Sequence, residues 1–231
     1  MNTKKIVTFI SALALVIMPL LTAVSQAIFE NNGYFKKEFE KYRVTDNINM
    51  EMDDIMYMMG ELMDYLHGDR EDLENIVVDV EGQHRDFFSE REKIHMADCK
   101  VLFDTGYNIR FICTIIFLAA ALGLIITKQF DFRGFIKSAG LVSIIITAAA
   151  LLVAVAASIN FNACFVIFHK LFFNNDLWLL DPAEDLVINI LVEPFFADMA
   201  IKIAIYCAFV LAVLIASGAG IYITDKKRRI Q

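Results

Sequence analysis

The sequence of 231 residues predicts an all-α integral membrane protein. It would have four transmembrane helices, a mainly helical extracytoplasmic cap between the first and second, and a short interfacial helix between the third and fourth. Three observations predict this. Hydrophobic residues make up 58% of the chain, against roughly 45–50% in soluble domains, and the excess is gathered in four long runs. Lys and Arg crowd short segments that Asp and Glu avoid. The polar stretches between the runs carry helical periodicity and cap signals.

The four runs are residues 6–29, 111–127, 138–159 and 203–224. A span needs about 20 apolar residues, and helix is the form that satisfies its own backbone where no water is present. Lys4 and Lys5 precede the first run, and Ser25-Gln26-Ala27 loosely resembles a cleavage site. The run is longer than a signal h-region of about 7–15 residues, so an uncleaved helix is expected. The domain reading follows: residues 1–29 form the first helix, 30–107 the cap, and 108–231 the other three helices with a second outer segment at 160–198.

Charge sets the expected orientation. With the N-terminus cytoplasmic, the inner segments are 1–5, 128–137 and 225–231. They hold Lys4, Lys5, Lys128, Arg133, Lys137, Lys226, Lys227, Arg228 and Arg229, as the positive-inside rule requires. Of the 28 Asp and Glu residues, only Asp131 and Asp225 fall there. The net charge of −7 therefore belongs to the outer portion and argues against nucleic acid as a partner. The four cysteines match no metal or C-x-x-C pattern. Cys99 and Cys164 both fall near the expected outer interface, where they could pair, but four unrelated buried thiols is the favoured reading.

In the cap, Ile48, Met52, Ile55, Met59, Leu62 and Leu66 recur at steps of four and three, which predicts a helix entered through Thr45 and Asp46 and closed by Gly68. Its many methionines suit core filling, with lipid contact as the alternative. A short strand is expected at 76–80. Ser89-Glu90-Arg91-Glu92 is a capping box opening another helix. Arg91, His95, Asp98 and Leu102 share one of its faces. In the second outer segment, Asp181-Pro182-Ala183-Glu184 signals a helix start, and Pro194 an end near Glu193.

The stretch FVIFHKLFFNNDLWLLD, residues 165–181, holds His169, Asn174, Asn175, Asp176 and the chain's only tryptophan, Trp178, among aromatic and aliphatic residues. Topology places His169 at the same outer boundary as His95. An imidazole there is costly unless partnered, and ionisable groups at membrane depth are functional candidates. The plainer alternative is a histidine bonded to a carbonyl and nothing more. His67 and His84 sit in polar surroundings and read as solvated. There is no G-x-S-x-G elbow, H-E-x-x-H, P-loop or G-x-G-x-x-G, and no inverted repeat. Imidazoles and carboxylates without a nucleophile suit proton transfer.

The segments YLHG, FSEREKIHMADCK, FHKLFFNNDLWLLDPAEDLVINIL and EPFF resemble the bacterial lipoprotein intramolecular transacylase family. The most specific parts are H-M-x-D at 95–98 and F-H-x-L-F-F-x-N-D-x-W at 168–178. The resemblance implies a multi-pass protein of the bacterial cell membrane, with both termini cytoplasmic and the active site outside. It implies an acyltransferase acting on a diacylated membrane lipoprotein within membrane lipid. The α-amine of the N-terminal cysteine would attack the sn-2 ester, giving the lyso form without a cofactor. It carries the catalytic pair onto His95 and His169. Asp98, Asp176 and Arg91 become orienting candidates, and Asn174, Asn175 and Trp178 pocket candidates. Two other readings stand beside it. One is a metal-dependent lipid or peptide hydrolase using His95, Asp98, His169 and Asp176 as ligands. The other is a non-enzymatic membrane sensor.

Overall fold

The computed structural model describes residues 3–30 and 33–230. Residues 1, 2 and 231 of the expected inner segments, and 31 and 32 of the expected cap, lie outside the described residues. The element order is α1 (Thr3–Phe29), α2 (Tyr34–Lys41), α3 (Thr45–Ile48), α4 (Met52–His67), β1 (Val77–Val80), β2 (Gln83–Asp86), α5 (Glu90–Ile126), α6 (Phe132–Ile159), α7 (Phe161–Phe172), α8 (Val187–Ile190) and α9 (Glu193–Ile230). Four of these, α1, α5, α6 and α9, are long and apolar enough to cross a membrane. The chain divides into two compact units.

One unit comprises residues 1–27, 106–159 and 202–231. Its buried centre is Ala12, Val16, Phe135, Ala139, Val142 and Leu211. Small residues let backbones approach. A Cβ built on Gly140 would stand 3.0 Å from the Cα of Gly218, and one built on Gly218 the same distance from Gly140. The small-residue run Ala216–Gly220 thus meets α6 through Gly218. Arg133 and Lys137 of α6 donate to the Asp225 carboxylate of α9 at 2.7 and 2.9 Å.

The other unit comprises residues 28–105 and 160–201. In α4, Ile55, Met58, Met59, Leu62 and Leu66 are buried, so Met58 and Met59 fill core, while Met52, Met56 and Met63 are half-buried. The helix begins later than its pattern suggested. Asn49 takes φ 48° and Glu51 is extended, so Thr45 opens the separate single turn of α3 and Met52 opens α4. Asn tolerates that left-handed geometry better than most residues. Gly68, at φ 101°, closes α4 and donates its N–H to Asp64 and Tyr65 carbonyls.

The strand at β1 has a partner the sequence reading lacked. β2 pairs with it antiparallel, Val80 opposite Gln83. Glu81 and Gly82, at φ 56° and 77°, make the two-residue turn that such a hairpin favours. Val78 and Val80 are buried, while all of β2 is exposed.

Helix α5 enters through the expected capping box. Ser89 N–H donates to Glu92 Oε2 at 2.7 Å, and Glu92 N–H donates to Ser89 Oγ at 3.2 Å. It then runs unbroken for 37 residues, about 55 Å, well beyond the ~30 Å of a hydrocarbon core. His95 lies in the polar first turns of this helix.

The second outer segment departs most from expectation. Residues 161–172 are helical, and 181–184 are a single turn rather than a helix start. Two side-chain bonds here are local: Asp181 N–H donates to Asp185 Oδ2, and Ala183 N–H to Asp181 Oδ1, both at 2.9 Å. Such bonds compete with helix propagation. Only Val187–Ile190 is helical here, and the Val187 N–H goes to Glu92 Oε1 at 2.6 Å. Pro194 does not end a helix. It sits in the first turn of α9, where a missing N–H costs nothing.

Candidate active site

Residues of α5, α7, α8, α9 and the 173–186 loop surround a cavity of about 280 Å³. His95 and His169 both line it. Each is buried, 6% and 7% exposed, and their ring centroids are 6.0 Å apart. Phe165 packs on the His169 ring at 4.2 Å and Trp178 at 4.9 Å. Phe173 meets His95 edge-on at 5.3 Å.

The two rings are held differently. His169 Nδ1 lies 2.7 Å from the Phe165 carbonyl oxygen. A carbonyl only accepts, so Nδ1 carries the hydrogen and the neutral ring keeps its lone pair on Nε2. His95 Nε2 lies 3.8 Å from Cys99 Sγ, one helical turn on, while its Nδ1 is buried without a partner among the described residues. Burial pushes the His95 pKa down to about 4, helped by His169 and Arg91 and opposed by Asp98. Burial also lowers that of His169, against the bond to Phe165. Both imidazoles are therefore neutral at pH 7.

The loop carrying Trp178 is tied to α5. Arg91 Nη2 donates to the Asp176 and Leu179 carbonyls at 2.7 and 2.9 Å. Asn175 Nδ2 donates to Asp98 Oδ2 at 2.8 Å, and its Oδ1 accepts from Leu177 N–H. Further along, buried Glu92 holds Val187, and Ser89 Oγ donates to Asp185 Oδ1 at 2.9 Å. Burial raises the Glu92 pKa, and the N–H groups of Val187 and Ser89 oppose it.

A model of the lipoprotein intramolecular transacylase (Lit) family matches residues 9–196. The chain belongs to this family. It is a multi-pass membrane protein and an acyltransferase that acts on lipoproteins. Its fold is similar to that of the membrane integral transacylase Lit from Bacillus cereus, at 21% identity and TM-score 0.78, covering 99% of this chain and 98% of that one. Two variants of the Bacillus cereus protein, each with one histidine replaced, are also similar. The arginine variant gives 22% identity and TM-score 0.71 over 99% and 95% of the chains. The alanine variant gives 22% and 0.70 over 99% and 96%. No curated protein matches the chain.

The structure gathers six of the eight site residues expected from sequence: His95, His169 and Trp178 at the cavity, with Asp98, Asn175 and Arg91 bracing the loop. Asn174 is exposed, and Asp176 contributes its carbonyl while its side chain is exposed. Sequence reasoning missed Asn162 and Glu193, which also line the cavity. Glu193-Pro194 had looked like a helix end; Pro as a first-turn signal was the available clue. All four cysteines are free thiols. Burial pushes Cys99 up to about 12, so it is not a thiolate nucleophile at neutral pH. Among the described residues no three His, Cys, Asp or Glu side chains converge as metal ligands, so the hydrolase reading finds no ligand set.

Proposed function

We propose that the chain transfers the sn-2 acyl group of a diacylglyceryl cysteine to that cysteine's own α-amine, with His95 and His169 as the catalytic pair. One observation carries the assignment of roles: the two buried imidazoles offer complementary nitrogens. His169, its Nδ1–H held by Phe165, presents a lone pair at Nε2 and is the base that takes the amine proton. His95, with an orphaned buried Nδ1, donates to the oxygen that becomes negative as the carbonyl is attacked. The N–C bond forms and the ester C–O bond breaks. The proton returns to the departing glyceryl oxygen, so no group is consumed. An amide replaces an ester, and holding amine and carbonyl together can supply roughly 7–11 kcal/mol of the barrier.

Asp98 and Asn175 set the loop that presses Trp178 on His169, while Arg91 anchors the same loop; Asn174 and Asp176 are exposed and serve the pocket less directly. The chemistry needs no metal or other cofactor, membrane lipid is the surrounding medium, and nucleic acid has no part. The distribution of Lys and Arg supports cytoplasmic termini and a site on the outer face of the bacterial cell membrane.

The test is a lipidation assay. Membranes lacking this activity and expressing the chain should yield N-acylated, S-monoacylglyceryl N-terminal peptides by mass spectrometry. His95→Asn and His169→Asn should each abolish them while the protein accumulates. Normal conversion by both variants would end the histidine mechanism.

A further inference from the structure

Beside its two imidazoles the cavity wall is mostly apolar, yet it carries a carboxylate. Glu193 is the only acid among the described residues lining it, and no Lys or Arg joins it there. It stands in the first turn of α9, where the helix dipole favours negative charge. Asn162 Nδ2 of α7 donates to its Oε2 at 2.6 Å, which orients the carboxylate without neutralising it. Neither proton-transfer role uses this group.

We propose that Glu193 is the binding residue for the substrate's α-ammonium. The inference rests on the reading that an amine-bearing lipid is the substrate. A terminal amine has a pKa of about 7.7–8.0, so at neutral pH it arrives mainly as a cation. A carboxylate at the rim of a greasy cavity attracts that cation through a charge-assisted hydrogen bond. The ammonium gives up its extra proton to solvent at the rim. The free amine attacks as His169 takes the second proton and passes it to the departing glyceryl oxygen, and the acylated product, a neutral amide, loses the attraction. Glu193 thereby selects free-amine lipoproteins over those already N-acylated and helps the product leave.

The experiment uses the full chain in detergent and a diether analogue of a diacylglyceryl cysteine peptide, which has no ester to transfer. Binding is measured for the free-amine form and its N-acetyl form. The wild type should prefer the free amine by about tenfold, the scale of one charge-assisted bond. Glu193→Gln, which keeps the shape and the Asn162 contact, should remove the preference while still binding the N-acetyl form like wild type. Glu193→Asp should restore most of it. On the diester substrate, Glu193→Gln should raise KM more than it lowers kcat. A tenfold preference that persists in Glu193→Gln, or none in the wild type, overturns the proposal and leaves Glu193 a structural partner of Asn162. Loss of transfer by the wild type on the diester substrate would instead overturn the underlying reading.

Discussion

The imidazoles of His95 and His169 come from α5 and α7 and tilt 34° to one another at a centroid separation of 6.0 Å. At that spacing, in a buried setting, a proton on one ring disfavours a proton on the other. Folding therefore selects neutral rings, and stability should depend on pH. Below pH 6.5 the unfolded chain gains protons that folded His95, at about 4, does not accept. The contribution is fully present above 6.5 and is lost as pH falls toward 4. At pH 5 the loss is on the order of 2 kcal/mol. Thermal unfolding of wild type and His95→Gln at pH 7.5 and 5 measures it; the wild type should lose more than the variant. Equal losses would mean that His95 titrates normally.

Buried Glu92 joins the entry of α5 to the first N–H of α8 at 2.6 Å. Replacing it with Ala strands the Val187 N–H and the Ser89 N–H together. Glu92→Ala should cost about 2–3 kcal/mol, and should open the 176–186 stretch to protease. Glu92→Gln keeps one oxygen acceptor but turns its NH2 toward the other N–H, while it sheds the desolvation that raises the carboxyl pKa, so it should cost about 1–2 kcal/mol, less than Glu92→Ala. Thermal unfolding with limited proteolysis separates the two. Equal behaviour would deny the bond its role.

What was legible in the sequence followed from local physics. Four apolar runs, a capping box at Ser89 and an αL glycine at Gly68 are signals whose cause lies within a few residues. The histidine pair was legible only through topology and resemblance, because residues 95 and 169 meet through tertiary packing. Asp181-Pro182 misled for the same reason. Its start signal was sound, but Asp185 turned back on Asp181, and the Val187 N–H that opens the later helical turn went to Glu92, far away in sequence. Glu193 was illegible as a pocket residue until Pro194 was seen inside a helix rather than after one.

Asp98 and Asn175 touch each other at 2.8 Å and act on the cavity through the loop that bears Trp178. If positioning is their role, removing either should have nearly the effect of removing both. Asp98→Ala and Asn175→Ala should each lower kcat several-fold, with a coupling of about 0.5–1.5 kcal/mol in the double-mutant cycle. Asp98→Asn keeps an oxygen acceptor for Asn175 Nδ2 and should recover most of the loss. Additive effects in transacylation assays would place the two residues in separate roles.

The contact between α6 and α9 makes the last prediction. A methyl on Gly218 would meet Gly140 Cα at 3.0 Å and the Ile136 carbonyl at 3.3 Å, both backbone atoms that cannot swing aside. Gly218→Ala should therefore push the helices apart and cost about 1–3 kcal/mol. Gly220, two residues on, has open space around its Cβ position. There the same substitution gains the helix preference of Ala, up to ~1 kcal/mol. Thermal unfolding of the two variants in one detergent should move in opposite directions. A Gly218→Ala variant as stable as wild type would mean that the small-residue run is not what brings these helices together.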